Sequence, residues 1–243
     1  MRKPIAFIHG SGDSGRIWRL QIEHFGSEQA FAIDLPGHGQ RPDLLPTEVT
    51  VQDYAHAAYE IITRELQLEQ PIIAGHSLGG AIALTMALEY ASELGGLILI
   101  GTGARLRVLL ALLEDARQAP EQAKSHLSAL AVTQANAATV APAIVQEQVA
   151  PGPTILYRDL AACNIFDVMS RLHEIHLPTL IICGVDDRLT PVKYSEYLHK
   201  HIPDSTLHIV PNAGHYVIRE QPEVVNRAID EWLNTLSEND RSG

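Results

Sequence analysis

Six short apolar runs, each closed by a turn former, punctuate this chain and alternate with longer stretches of helical character. The runs are residues 4–8, 31–35, 71–74, 97–100, 179–183 and 206–210. They meet His9-Gly10, Pro36-Gly37, Gly75, Gly101, Gly184 and Pro211-Asn212 in turn. Unbroken apolar runs of this length suit strands covered on both faces, and therefore a parallel sheet. Helical patterns fill the gaps at about residues 16–24, 51–66, 78–90, 192–199 and 222–236, with Thr50 placed as an N-cap for the second. Alternating strand and helix with right-handed crossovers predicts an α/β fold built on a doubly wound sheet.

One region breaks the alternation. Residues 104–174 contain no good strand but hold helical patterns at 106–113, 121–130 and 155–172, with an Ala/Pro/Val-rich stretch reaching Pro153. This reads as a helical lid inserted into a core of residues 1–103 and 175–243. Its position at the C-terminal edge of the sheet, where ligands bind in such folds, favours a lid over mere extra packing. The polar tail, residues 237–243, is expected to fray.

Composition narrows the function classes. Lys and Arg number 18 and Asp and Glu 29, for a formal net charge of −11. A nucleic-acid partner would need a basic face, so none is expected. No run reaches the roughly 18 apolar residues that span a bilayer, and the short N-terminal run lacks a cleavage site. The expectation is a cytoplasmic protein without a membrane partner. Cys163 and Cys183 lie in unrelated segments without metal-ligand spacing and read as a small apolar residue and a buried strand residue. His199-x-His201 and His173-x-x-His176 could be read as metal pairs, but no carboxylate or cysteine pattern supports a metal site there. Nothing in the sequence fixes an oligomeric state.

The chemistry centres on Gly75-His76-Ser77-Leu78-Gly79-Gly80, a G-x-S-x-G segment between an apolar run and a helical pattern. A serine on so sharp a strand-to-helix turn projects its hydroxyl from the sheet edge. Its neighbours two residues away must lack side chains so that strand and helix can approach. The helix start also favours negative charge developing nearby. Ser77 is therefore the candidate nucleophile, and His76 reads as structural.

With these residues in place the chain resembles the α/β-hydrolase superfamily, in particular its small bacterial, cap-bearing, esterase-like branch. The resemblance covers nearly the whole chain. The family order of nucleophile, acid and histidine is met by Ser77, Asp187 and His215. His215 ends Pro211-Asn212-Ala213-Gly214-His215, which resembles the family's histidine loop. The family's acid loop, Gly-x-x-Asp-x-x-x-Pro, matches Gly184, Asp187 and Pro191, so Asp187 rather than Asp186 is the implied acid. His9-Gly10-Ser11-Gly12 matches the family's His-Gly motif. The resemblance implies an oxyanion hole from the backbone N–H groups of Ser11 and Leu78. Trp18 reads as packing.

Two departures stand out. Asp34-Leu35-Pro36-Gly37-His38-Gly39 resembles a family loop that shapes the floor of the site, but Arg41 stands where the family has serine. The family also begins with an antiparallel strand pair, for which the residues before His9 leave no room. The expected sheet is six-stranded and all-parallel.

Serine at the elbow tells against the family's aspartate-nucleophile branches, haloalkane dehalogenases and epoxide hydrolases. The implied activity is hydrolysis of small to medium apolar carboxylic esters through an acyl-enzyme, with no metal or organic cofactor. C–C bond hydrolases, thioesterases and cofactor-free lyases share the same triad and lid and stay open as alternatives. So does a catalytically silent ligand-binding protein on the same fold.

Overall fold

The computed structural model describes residues 3–147 and 154–242, excluding the side chains of 145–147 and 238–242. The end of the Ala/Pro/Val-rich stretch and Gly243 lie outside the described residues. Each apolar run forms a strand: β1 (Ile5–Ile8), β2 (Ala30–Ile33), β3 (Ile72–His76), β4 (Gly96–Ile100), β5 (Thr179–Gly184) and β6 (Ser205–Val210). They make one sheet in the order β2-β1-β3-β4-β5-β6, with every neighbouring pair parallel. This is the six-stranded, all-parallel sheet that the sequence predicts. The strands β1, β3, β4 and β5 are buried at every position. Only the edge strands β2 and β6 depart from the double-sided cover expected of them.

The helices are α1 (Arg19–Phe25), α2 (Val51–Glu60), α3 (Leu78–Glu89), α4 (Leu110–Gln118), α5 (Pro120–Ala131), α6 (Ala141–Glu147), α7 (Ile155–Ile165), α8 (Val192–His201), α9 (Val217–Glu220) and α10 (Pro222–Ser242). Thr50 caps α2 as expected: its hydroxyl accepts the Asp53 N–H, and the Asp53 carboxylate accepts the Thr50 N–H at 2.7 Å. Side chains of α2, α3 and α8 pack on one face of the sheet, and those of α10 on the other with Trp18. Trp18 lies against Phe7, ring centroids 4.7 Å apart, in the packing role expected of it. Residues 78–87 of α3 are buried on all sides, which is why that helix shows no amphipathic stripe. Each of its fully buried Leu, Ile and Met side chains contributes about 1.5–3 kcal/mol.

The chain leaves β1 for β2 on one side and returns to β3 on the other. The loops after β1 and β3 therefore part at a topological switch point, where α/β sheets place ligands. Helices α4 to α7 form the insertion between β4 and β5. Its base is closed by an antiparallel bridge and an ion pair between Arg105 and Asp167.

Several helix boundaries differ from expectation; α7, for one, ends at Ile165 rather than at 172. Residues 106–109 are not helical, because Asn164 at the end of α7 holds them extended: its Oδ1 accepts the Val108 N–H at 3.2 Å and its carbonyl accepts Arg107. Beyond Leu236, where fraying was expected, α10 continues to Ser242. Among the described residues no helix is long and apolar enough to cross a membrane.

Candidate active site

Ser77 sits between β3 and α3 with φ 55° and ψ −114°, a backbone conformation that non-glycine residues rarely adopt. Two glycines make the turn possible. A Cβ on Gly75 would lie 2.1 Å from the Gly79 carbonyl oxygen, and one on Gly79 would lie 2.2 Å from that of Ile8. The turn is pinned by the Ser77 N–H donating to Ile100 O at 3.0 Å and by the Thr102 hydroxyl donating to Ser77 O at 2.8 Å. Ser77 faces a cavity of about 380 Å³, which Ser11 and His215 also line.

Asp187 stands in the loop after β5, buried behind His215. His215 Nδ1 donates to Asp187 Oδ2 at 2.9 Å. The remaining capacity of that carboxylate is filled: Oδ1 accepts the Leu189 and Thr190 N–H groups, both at 2.8 Å, and Oδ2 accepts the Thr190 hydroxyl at 2.8 Å. Burial pushes the Asp187 carboxyl up, but the His215 ring and the Thr190 bonds outweigh it and hold the group below its usual range. Asp186 is exposed, and its N–H donates to Ala213 O at 2.9 Å, tying the two loops together. His76 supports the same loop. Its Nε2 donates to the His215 carbonyl at 2.9 Å, and burial holds its pKa down at about 3, so the ring is neutral.

The structure thus brings Ser11, Ser77 and His215 to one cavity, with Asp187 behind His215. The Ser77 hydroxyl does not bond His215 here. Such contacts are often long before substrate binds. The Ser11 and Leu78 N–H groups have no protein acceptor among the described residues, although the Leu78 side chain itself points into the core. Among the described residues no group of three or more His, Cys, Asp or Glu could hold a metal. The His199 and His201 rings bond Ser205 and the Tyr197 carbonyl.

Sequence reasoning missed the polar groups that hold these loops. The first is a buried cluster under the loop after β1. Asp159, on α7, accepts the Gly12 N–H and His38 Nε2, each at 2.8 Å, and also the Tyr54 hydroxyl. His38 Nδ1 faces the Pro36 carbonyl at 3.1 Å. Both ring nitrogens therefore donate, and the ring carries charge. Burial lowers the His38 pKa, but Asp159 raises it further, and the net direction is upward. Asp159 moves the other way: burial raises it, His38 outweighs burial, and the carboxyl stays ionised. Next to it Arg158 bonds both oxygens of Asp43, at 2.9 and 2.8 Å, and the Pro36 carbonyl. The one available signal was an Arg-Asp pair inside a mostly apolar helix. His9 joins the β1 and β2 loops: its Nδ1 donates to Gly10 O at 2.8 Å and its Nε2 accepts the Leu35 N–H at 3.1 Å.

The second group is Glu220 in α9. Its Oε1 accepts the Gly214 N–H at 2.8 Å, and its Oε2 accepts the Thr133 N–H at 2.9 Å and hydroxyl at 2.7 Å. Glu220 thereby fixes the residue before His215 and ties it to the end of α5. Arg41, where the resemblance expects serine, bonds Glu65 through both Nη atoms at 3.0 and 2.9 Å.

Residues 5–228 match the alpha/beta hydrolase family. RutD of Variovorax paradoxus (strain S110), named as a proposed carbamate hydrolase, is 27% identical over 241 residues, spanning 94% of this chain and 90% of its own. A thermophilic esterase superposes with a TM-score of 0.83 at 34% identity, over 97% of this chain and 91% of that one. A second thermophilic esterase, from Thermogutta terrifontis, gives a TM-score of 0.84 at 25% identity, over 96% and 90% of the two chains.

Proposed function

The chain is a hydrolase and belongs to the alpha/beta hydrolase family, and from that premise we propose that it cleaves carboxylic esters of small to medium apolar substrates through a Ser-His-Asp acyl-enzyme mechanism. Ser77 attacks the ester carbonyl while His215 takes the hydroxyl proton at Nε2. Asp187 holds the Nδ1 proton and so sets the tautomer. The Ser11 and Leu78 N–H groups bind the oxyanion. His215 then protonates the departing alcohol. Water, activated by the same histidine, attacks the acyl-enzyme and releases the acid.

The observation that carries this reading is the 2.9 Å contact between His215 Nδ1 and a saturated, buried Asp187, beside a cavity that Ser77 also faces. Helices α4 to α7 act as the lid, making residues 104–174 a cap on a core of 1–103 and 175–243. Leucines from the insertion, including Leu106, Leu112, Leu127 and Leu156, line the cavity and suit an apolar acyl or alcohol group. The test is a p-nitrophenyl ester series of rising acyl length assayed with wild type and Ser77→Ala. Turnover by wild type, best with short to medium chains, and none by a folded Ser77→Ala variant is expected. The likeness to RutD favours carbamates as a second reading on the same machinery, decided by assaying p-nitrophenyl esters and carbamates side by side.

A further inference from the structure

The chain as a whole is acidic, yet the wall of the Ser77 cavity is basic. Arg107, Lys124, Arg188 and Lys193 line it, against Asp13 as the one carboxylate among its described lining residues. Four of 18 cationic side chains and one of 29 carboxylates is the reverse of the overall balance. Asp13 faces the Tyr216 hydroxyl, which lies 2.9 Å from each of its oxygens.

The cations come from different elements and converge. Arg188 follows Asp187 directly, and its Nη2 donates to Ala129 O at 2.6 Å, so its guanidinium bridges the acid loop and α5. Lys193 sits in the first turn of α8. Lys124, on α5, pairs with the exposed Glu121 at 3.0 Å. Arg107 donates to the Asn164 carbonyl, and the nearby Asp167 pairs with Arg105. Among the described residues no carboxylate lies within ion-pair distance of Arg107, Arg188 or Lys193. A group of cations on an acidic protein repels itself and does nothing for solubility. Lining a cleft with apolar walls, it focuses a field that draws and holds an anion. Guanidinium and ammonium groups pair with carboxylates through charge-assisted bonds.

We propose that this cavity takes esters that carry a carboxylate at the end remote from the scissile bond, with the apolar chain along the leucine wall and the anionic end at Arg188 and Lys193. The inference rests on the ester-hydrolase reading above but can be tested apart from it. In the turnover arm, kcat/KM for monoethyl adipate is compared with that for ethyl hexanoate. The expected anionic-to-neutral ratio exceeds one. It falls about fivefold in the Arg188→Gln/Lys193→Gln double variant, about 1 kcal/mol for the two partly exposed cations together. It also falls as NaCl rises towards 1 M, where the Debye length shrinks to about 3 Å. The second arm measures monoethyl adipate binding to Ser77→Ala protein by calorimetry, which needs no chemistry. Binding that weakens with salt and with the double substitution supports the inference. A ratio at or below one, or binding indifferent to both salt and charge removal, overturns it and leaves the hydrolase reading standing. Salt-sensitive binding with no turnover of any ester keeps the anionic site and sinks the hydrolase reading instead.

Discussion

Asp159 Oδ2 accepts the Gly12 N–H at 2.8 Å, so a helix of the insertion holds the loop that carries Ser11. The bond joins residues 147 positions apart and is fully buried. The same carboxylate neutralises the charged His38 ring. The base of the insertion is thereby fixed to the core through α7.

Removing that carboxylate leaves a buried imidazolium and an amide donor with no anion. Asp159→Asn is expected to destabilise the protein by about 3 kcal/mol, the scale for breaking a buried ion pair. It should also lower kcat, because Ser11 loses its support. Urea unfolding and ester turnover on the same preparation check both. An unchanged midpoint would show that the cluster does not contribute to stability.

The pair also gives stability a pH dependence of known sign. The His38 pKa in the fold lies above its ordinary value of 6.5. Its contribution is therefore fully present below about pH 6.5 and is lost as pH rises through the higher folded value. The stability difference between wild type and His38→Gln should narrow from pH 6 towards pH 9. A gap that widens over that range contradicts the assignment of charge to His38.

The two adjacent aspartates separate cleanly. Asp187→Asn is expected to reduce kcat by orders of magnitude, towards the roughly 10⁴-fold seen when a triad acid becomes an amide and strands the histidine in the wrong tautomer. Asp186→Asn, at an exposed side chain, should stay near wild type. Steady-state kinetics on both variants decide the matter. A crippled Asp186→Asn beside a healthy Asp187→Asn would reverse the roles.

Glu220 offers a test of the histidine loop. Glu220→Ala removes acceptors from the Gly214 N–H and from both Thr133 donors. Leaving buried donors unpaired costs about 1–3 kcal/mol. The expected result is a lower melting temperature together with a lower kcat, because His215 follows Gly214 directly. Loss of stability at full kcat would confine Glu220 to packing.

The sheet was legible because most strands are apolar runs with a Gly or Pro at or near their ends, β6 with Thr206 and His208 being the weakest case. The residues at the elbow were legible because only glycine fits at positions 75 and 79, where a Cβ would strike backbone. The start of α4 was misread because the apolar pattern at Leu106 is overridden by hydrogen bonds to Asn164, a contact no local pattern encodes. Glu220 was invisible for the same reason, and Asp159 showed only as half of an Arg-Asp pair in a mostly apolar helix. Most of their partners, Gly12, His38 and Tyr54 for Asp159 and Thr133 for Glu220, lie far away in the chain, and a charged residue within a helix carries no mark of being buried.

The most direct test is covalent labelling at Ser77. Intact-mass spectrometry after treatment with a fluorophosphonate should show one adduct per chain, mapped by peptide to Ser77. Ser77→Ala should show none, and His215→Ala should label far more slowly, since the hydroxyl then lacks its base. An adduct elsewhere on the chain, or equal labelling of wild type and Ser77→Ala, would contradict the account of this protein as a serine hydrolase.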